Sequence, residues 1–239
     1  RWSERHGVTP FRESSDFANG QTRDRQGRLI TCHHRSRCLS RREHDGSETI
    51  LVREANGKRL NAPNDVVVKS DGSIWFSDPL YGLLNDYEGG RQRSEQPPAL
   101  YRLNPGSGEV SVMASDFDGP NGLAFSPDER LLYVAESGAA GVAEPRQFIR
   151  VFEVGDDGRS LSGGRHFHTI QPGWADGFRV DEQGNLWCGA ADGVHCIAPD
   201  GQLIGKVLVP SRVSNLCFGD RFHSRLFLCA STRLYALFT

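Results

Sequence analysis

Five stretches of the chain open on an Asn or Asp and run into an apolar, strand-like segment ten or eleven positions on: ANGQTRDRQGRLITC at Asn19, PNDVVVKSDGSIWFS at Asn64, PNGLAFSPDERLLYVAE at Asn121, ADGFRVDEQGNLWCG at Asp176 and SNLCFGDRFHSRLFLCA at Asn215. Taken singly, an Asn or Asp beside Gly is an ordinary turn former. The same residue type at the same place in five copies predicts more. If the copies are arranged about a common axis, their side-chain oxygens converge into a ring. Amide and carboxylate oxygens, with no Cys or His among them, are the chemistry of a hard divalent cation such as Ca²⁺. A mostly neutral ligand set implies modest affinity, with water in the remaining coordination positions. Asp176 is the one acidic member, so it is the candidate to accept a proton from water; a role as ligand alone is the alternative. Gly122, following Asn121, is expected to supply a turn that aims the amide inward.

The elements that must position such a ring follow from the repeat itself. Its heads lie 45, 57, 55 and 39 residues apart, and a β-type repeat near 40–50 residues predicts propeller blades. Between the heads come further hairpin signals at HDG (44–46), NPGSG (104–108), GDDG (155–158) and PDG (199–201), each flanked by strand-like residues. Each unit thus reads as about four short antiparallel strands. No segment holds a 3.6-residue period with caps for three turns, so no helix is expected. The chain is read as one all-β propeller domain over 1–239. The innermost strand of each blade lines a channel, and the ring sits at one mouth of it.

Composition excludes several function classes. With 239 residues and 37% hydrophobic content the chain can bury a real core, and a net charge of −2 gives no footprint for nucleic acid or an anionic membrane. The longest apolar runs are far below a membrane span. Residue 1 is Arg, and no targeting segment can be read from this stretch. The six cysteines sit mostly in apolar strand-like stretches; we read them as small buried hydrophobes and expect a reducing, cytoplasmic setting. His33 and His34 are adjacent and face opposite sides of a strand, so they cannot chelate together. His166 and His168 are expected at the surface. There is no G-x-S-x-G elbow, phosphate loop or dinucleotide fingerprint.

RLNAPNDVVVKSDGSIWFSDPLYG (59–82), PNGLAFSPDERLLYVAESG (120–138) and ADGFRVDEQGNLWCG (175–189) resemble the senescence marker protein/gluconolactonase/luciferin-regenerating enzyme-like family, most nearly its bacterial gluconolactonases. The resemblance runs over nearly the whole chain. It implies a six-bladed propeller with one divalent metal at the channel mouth and hydrolysis of a small sugar lactone, with no nucleic-acid or membrane partner. Asn121 and Asp176 match metal ligands, and Asn64 matches a further Asn bound directly or through water. Arg59 and Asn61 match positions expected to touch sugar hydroxyls. Asp65 and Tyr81 fall near the same pocket. Ca²⁺ is the first choice of ion, and Zn²⁺, Mg²⁺ or Mn²⁺ suit the same oxygens. The reaction implied has a cation polarising the lactone carbonyl while a carboxylate takes a proton from water, with Asp176 as candidate base. Arg59 could instead be a solvated loop charge, and Tyr81 and Trp174 packing residues beside the channel.

The chain departs from that pattern in one respect. The family carries a metal-ligating Glu in a Glu-Gly-Pro-like motif opening its first blade. The first residues here, RWSERHGVTPF, resemble the outer hairpin of that blade, and Glu4 and Glu13 lie in the wrong context to replace the ligand. The expectation is therefore about five and a half blades, weak cation binding and little activity in this stretch alone. A catalytically inactive fragment and a non-catalytic calcium-binding scaffold are the alternatives. Arg59 in KRLN discriminates, because a pure cation binder needs no substrate-facing Arg.

Overall fold

The computed structural model describes residues 1–138 and 142–239. It is an all-β propeller. A small hairpin, β1 (Trp2–Ser3) and β2 (Gly7–Val8), is followed by the first four-stranded sheet: β3 (Ala18–Arg23), β4 (Leu29–His33), β5 (Cys38–Arg42) and β6 (Glu48–Val52). A second small hairpin, β7 (Glu54–Ala55) and β8 (Lys58–Arg59), leads to the second sheet: β9 (Val66–Val68), β10 (Ile74–Asp78), β11 (Ala99–Leu103) and β12 (Val110–Ala114). The third sheet contains β13 (Pro120–Phe125), β14 (Leu131–Glu136), β15 (Phe148–Val154) and β16 (Leu161–His168). The fourth contains β17 (Phe178–Val180), β18 (Leu186–Ala190), β19 (Gly193–Ile197) and β20 (Leu203–Leu208), and the fifth β21 (Asn215–Gly219), β22 (Arg225–Ala230) and β23 (Arg233–Phe238). Every pairing within these sheets is antiparallel between neighbours in sequence. The described residues thus form five blade sheets, and all four hairpin signals fall between the outer strands of a blade.

Alternation with period two builds the core between sheets. On β10, Ile74 and Phe76 join Ile30, Leu39 and Tyr101 between the first and second sheets, while Trp75 points the other way toward Leu123, Leu132 and Val134 of the third. On β14, Tyr133 and Ala135 pack with Phe178 and Leu186 of the fourth sheet. Val194, Leu216, Leu226 and Leu228 close the fourth against the fifth. Each sheet is therefore buried on the face it turns to its neighbour, and burying one such side chain stabilises by about 1.5–3 kcal/mol.

Three sequence expectations change here. One four-residue helix, α1 (Tyr81–Leu84), does form; it is too short to register as a 3.6-residue period. Cys32, Cys38, Cys188 and Cys196 are buried, but Cys217 and Cys229 are exposed, and all six are free thiols. Cys217 and Cys229 share the face of the fifth sheet that carries Arg225 and Phe227, opposite the face of Leu226 and Leu228. Gly122 supplies no left-handed turn, for it lies inside β13 and is not among the positive-φ glycines. Close approach explains it instead: a Cβ there would run into the Asp176 carbonyl of the next blade. Among the described residues no helix is long and apolar enough to cross a membrane.

Candidate functional site

Inter-blade hydrogen bonds bring the heads of the innermost strands together. Gly20 N–H donates to the Asn64 carbonyl (2.7 Å) and Gly177 N–H to the Ser214 carbonyl (2.8 Å). With the backbones locked this closely, the side chains one level up meet. The Asn19 Nδ2 donates to Asn64 Oδ1 (2.5 Å), Asn64 Nδ2 donates to Asn121 Oδ1 (2.5 Å), and the Asn121 amide faces the Asp176 carboxylate and favours its charged form. Four residues spread over 157 positions of sequence, 19 to 176, thus form one continuous polar arc.

Asn215 is not at this level. Asn64 N–H donates to Ser77 O and its carbonyl accepts from the neighbouring blade; in the fifth sheet it is Ser214 whose N–H donates to Cys229 O (2.9 Å) and whose carbonyl accepts from Gly177. The fifth repeat is thus offset by one residue. Because side chains alternate, that offset moves Asn215 one layer along the channel, where it faces the Asp65 carboxylate and favours its charged form. Asp65 is buried, accepts the Val66 N–H (2.9 Å), lies 3.9 Å from the Arg179 guanidinium and has one oxygen, Oδ2, without a partner among the described residues. It therefore lines the layer beneath Asn64.

Asp176 is the acidic end of the arc. Burial, followed by the nearby Asp65 charge, raises its carboxyl to about 7; Arg212 and the Asn121 amide pull the other way. The Arg212 guanidinium is stacked 4.2 Å above the Trp174 ring, so Trp174 carries the cation that faces Asp176. At the opposite end stands His34, which the sequence reading did not place here. Its Nδ1 donates to the Glu88 carbonyl (2.8 Å), leaving Nε2 to accept from Asn19 Nδ2 (3.0 Å). This fixes the neutral tautomer and the direction of the Asn19 amide. His33 turns away to Ser40 (2.8 Å), as adjacent strand residues must. A signal for His34 was present: it lies 15 residues after Asn19, as Glu136 does after Asn121.

The remaining expected residues frame the site rather than line it. Asn61 is fully buried; its amide donates to the carbonyls of Asp78, Gln96 and Pro97 and accepts from Ser94 Oγ (2.8 Å). In this arrangement it braces the 94–97 loop and has no free polar atom for a sugar hydroxyl. The Tyr81 hydroxyl donates to the carbonyls of Gly119 (2.9 Å) and Gly138 (3.1 Å), tying α1 to the segment before Asn121. Arg59 is exposed; its N–H donates to Glu95 and its guanidinium reaches the Ser36 carbonyl at 3.5 Å, beside the turn that carries His34. His166 is exposed and His168 half-buried.

Four carboxyls sit higher than usual because they are removed from water, the buried Asp65, Asp78 and Glu136 and the half-buried Asp176. For Asp78 the sign is clear, since its ordinary value of 3.8 rises to about 7 in the fold. The folded state holds the proton more tightly, so stability is fully present below about pH 4 and is lost as pH rises through about 7. One such group gives a slope of at most about 1.4 kcal/mol per pH unit. The stability difference between wild type and Asp78→Asn, from urea unfolding at several pH values, is expected to fall across that window. Parallel curves would show that Asp78 carries no extra proton in the fold.

Among the described residues no three His, Cys, Asp or Glu side chains gather as a metal cluster. The arc offers instead one carboxylate and the amide oxygens of Asn64 and Asn121. Each amide oxygen accepts one hydrogen bond from its neighbour and keeps a second lone pair. The under-compensated charge of Asp176 and this all-oxygen set fit a hard divalent cation.

Compared with known proteins, residues 1–232 match the family profile described as the SMP-30/Gluconolactonase/LRE-like region. The chain is 33% identical over 197 residues to a gluconolactonase of Zymomonas mobilis subsp. mobilis, covering 77% of this chain and 52% of that one. It is 26% identical over 192 residues to a lactonohydrolase of Aspergillus oryzae, covering 72% and 43%. The chain thus spans about half or less of these curated relatives. Among solved structures, a gluconolactonase of Xanthomonas campestris superposes with a TM-score of 0.86 at 39% identity, covering 93% of this chain and 72% of that one.

Proposed function

Because the chain belongs to the SMP-30/gluconolactonase/LRE-like family, we propose that it hydrolyses a small sugar lactone at the channel mouth with the help of a divalent cation, and that its five described sheets are blades of a six-bladed propeller. The observation that carries this reading is the convergence of Asn64, Asn121 and Asp176 into one arc whose acidic member is raised to about 7. Asn64, Asn121 and Asp176 would hold the cation, which when bound polarises the lactone carbonyl and stabilises negative charge developing on its oxygen. Ca²⁺ suits the oxygen set best, and Mg²⁺, Mn²⁺ and Zn²⁺ are the ions to compare with it.

The chain's own residues divide the remaining work. Asp176, near pH 7 in its proton affinity, is poised to accept a proton from the attacking water. Asn19, held by His34, and Asn64 fix the direction of the amide arc. Trp174 carries Arg212 beside the site, and Arg59 stands on the rim near the 34–37 turn. Tyr81 and Asn61 hold the two segments from which Asn121 and Asn64 project. The test is acid release from glucono-δ-lactone above its spontaneous rate, with and without chelator. A chelator-sensitive excess supports the reading; cation binding with no excess would favour a non-catalytic calcium-binding propeller.

A further inference from the structure

Asp78 and Glu136 are both fully buried. Asp78 ends β10 and Glu136 ends β14, so each is the last residue of the second strand of its blade. Asp78 Oδ2 accepts the Asn61 N–H at 2.7 Å, and the next peptide, at Ala62, also favours the charged form of this carboxyl. Glu136 Oε1 accepts the Gly119 N–H at 2.7 Å, and both its oxygens take the Asp118 N–H, at 3.1 and 3.3 Å. The correspondence extends to position: Asn61 and Ala62 stand three and two residues before Asn64, and Asp118 and Gly119 stand three and two before Asn121. Two carboxylates of different length therefore hold the corresponding peptide segment ahead of the same kind of side chain in successive blades.

Neither carboxylate is there for an ion pair. The nearest cation to Glu136 is Arg146 at 3.8 Å, and Arg146 is itself engaged by Asp118 at 2.9 Å. Asp78 has no salt bridge among the described residues, and its Oδ1 has no partner. A buried carboxylate without a matched cation destabilises a fold, so its backbone contacts are what it has to offer. The loops it grips have no strand ladder of their own: residues 60–65 and 115–119 lie outside the strands, and the N–H groups it holds would otherwise need water.

The geometry points to Asp78 and Glu136 as a matched pair of positioning residues, each holding the peptide segment two to three residues ahead of its Asn, so that Asn64 and Asn121, respectively, are aimed into the arc. This rests on the proposed use of that arc for a cation and a lactone. Since the clamp acts through a named Asn, it makes a prediction that general support of the fold does not. Removing Glu136 should matter only while Asn121 is present, and removing Asp78 only while Asn64 is present.

The experiment is a pair of double-mutant cycles with Mn²⁺ as probe, its binding read from the free-ion paramagnetic resonance signal. Glu136→Gln is expected to weaken Mn²⁺ binding by about 10- to 100-fold, the range typical of residues that orient a ligand. The loss should persist in an Asn64→Ala background and vanish in an Asn121→Ala background; Asp78→Asn should show the reverse. Equal losses in both backgrounds, or none in either, would overturn the clamp. If the wild type neither binds Mn²⁺ nor hydrolyses a lactone, the functional reading fails, and the clamp is judged from the side-chain amide ¹⁵N–¹H resonances of Asn64 and Asn121. Each should move with its own carboxylate variant and not with the other. The same resonances decide any cycle whose double variant fails to fold, and resonances that stay put would overturn the clamp there too.

Discussion

Asp176→Asn is expected to lower kcat for lactone hydrolysis by about 10²-fold at saturating divalent cation, the lower end of what a positioned general base contributes. The substitution keeps an oxygen in place and nearly the same volume, so the side chain's place beside the Asn121 amide survives. What is lost is the group that can take up a proton near neutral pH. Burial beside Asp65 raises the Asp176 carboxyl to about 7, and an amide has no such equilibrium. Titrating the cation separates the two roles open to this residue. If activity returns to near wild type once the cation is raised, Asp176 is a ligand only and the proton goes elsewhere; a deficit that persists at saturation assigns the base to it.

Asn121→Ala is expected to weaken divalent-cation binding by at least about 10- to 100-fold, since even residues that only orient a ligand reach that range, and to reduce lactonase activity in parallel. The fold should persist, because Asn121 is held at its head by other means: the Glu136 clamp on Asp118 and Gly119 and the Tyr81 bond to the Gly119 carbonyl. Truncation also removes the acceptor of Asn64 Nδ2 and the amide that faces Asp176, so it cuts the arc in the middle. Calorimetric titration with Ca²⁺ measures the effect. Unchanged affinity in a folded variant would remove Asn121 from the ligand set and with it the strongest member of the arc.

The two outcomes together discriminate between neighbouring functions of the same geometry. A propeller that only stores or senses a cation would be disabled by Asn121→Ala and little changed, at saturation, by Asp176→Asn. A lactonase would be disabled by both.

Much of this molecule was legible in its residues because the information is local. Short apolar runs such as Ile74, Trp75 and Phe76, and turns such as NPGSG and PDG, report strands and hairpins through neighbours only a few positions away. Repetition of Asn and Asp at the strand heads then placed Asn19, Asn64, Asn121 and Asp176 at one mouth, since equivalent positions of repeated units must fall on equivalent places about an axis. Repetition along the chain was enough to indicate blades and four of the five residues expected in the arc. Tertiary structure decided the layer of each member. A one-residue offset put Ser214 at the level expected of Asn215, and with a side-chain period of two no compositional signal distinguishes the two registers. It decided that Gly122 answers to the Asp176 carbonyl of the next blade and not to a turn, that Asn61 is engaged by the 94–97 loop, and that Cys217 and Cys229 are exposed. It also brought in His34, Asp78 and Glu136, whose partners lie 15 to 54 residues away. Such contacts arise only when separately formed strands are packed against one another, because a hydrogen bond is fixed by distances of a few tenths of an ångström. No pattern along the chain carries that precision until the backbone of one blade has been set against the next.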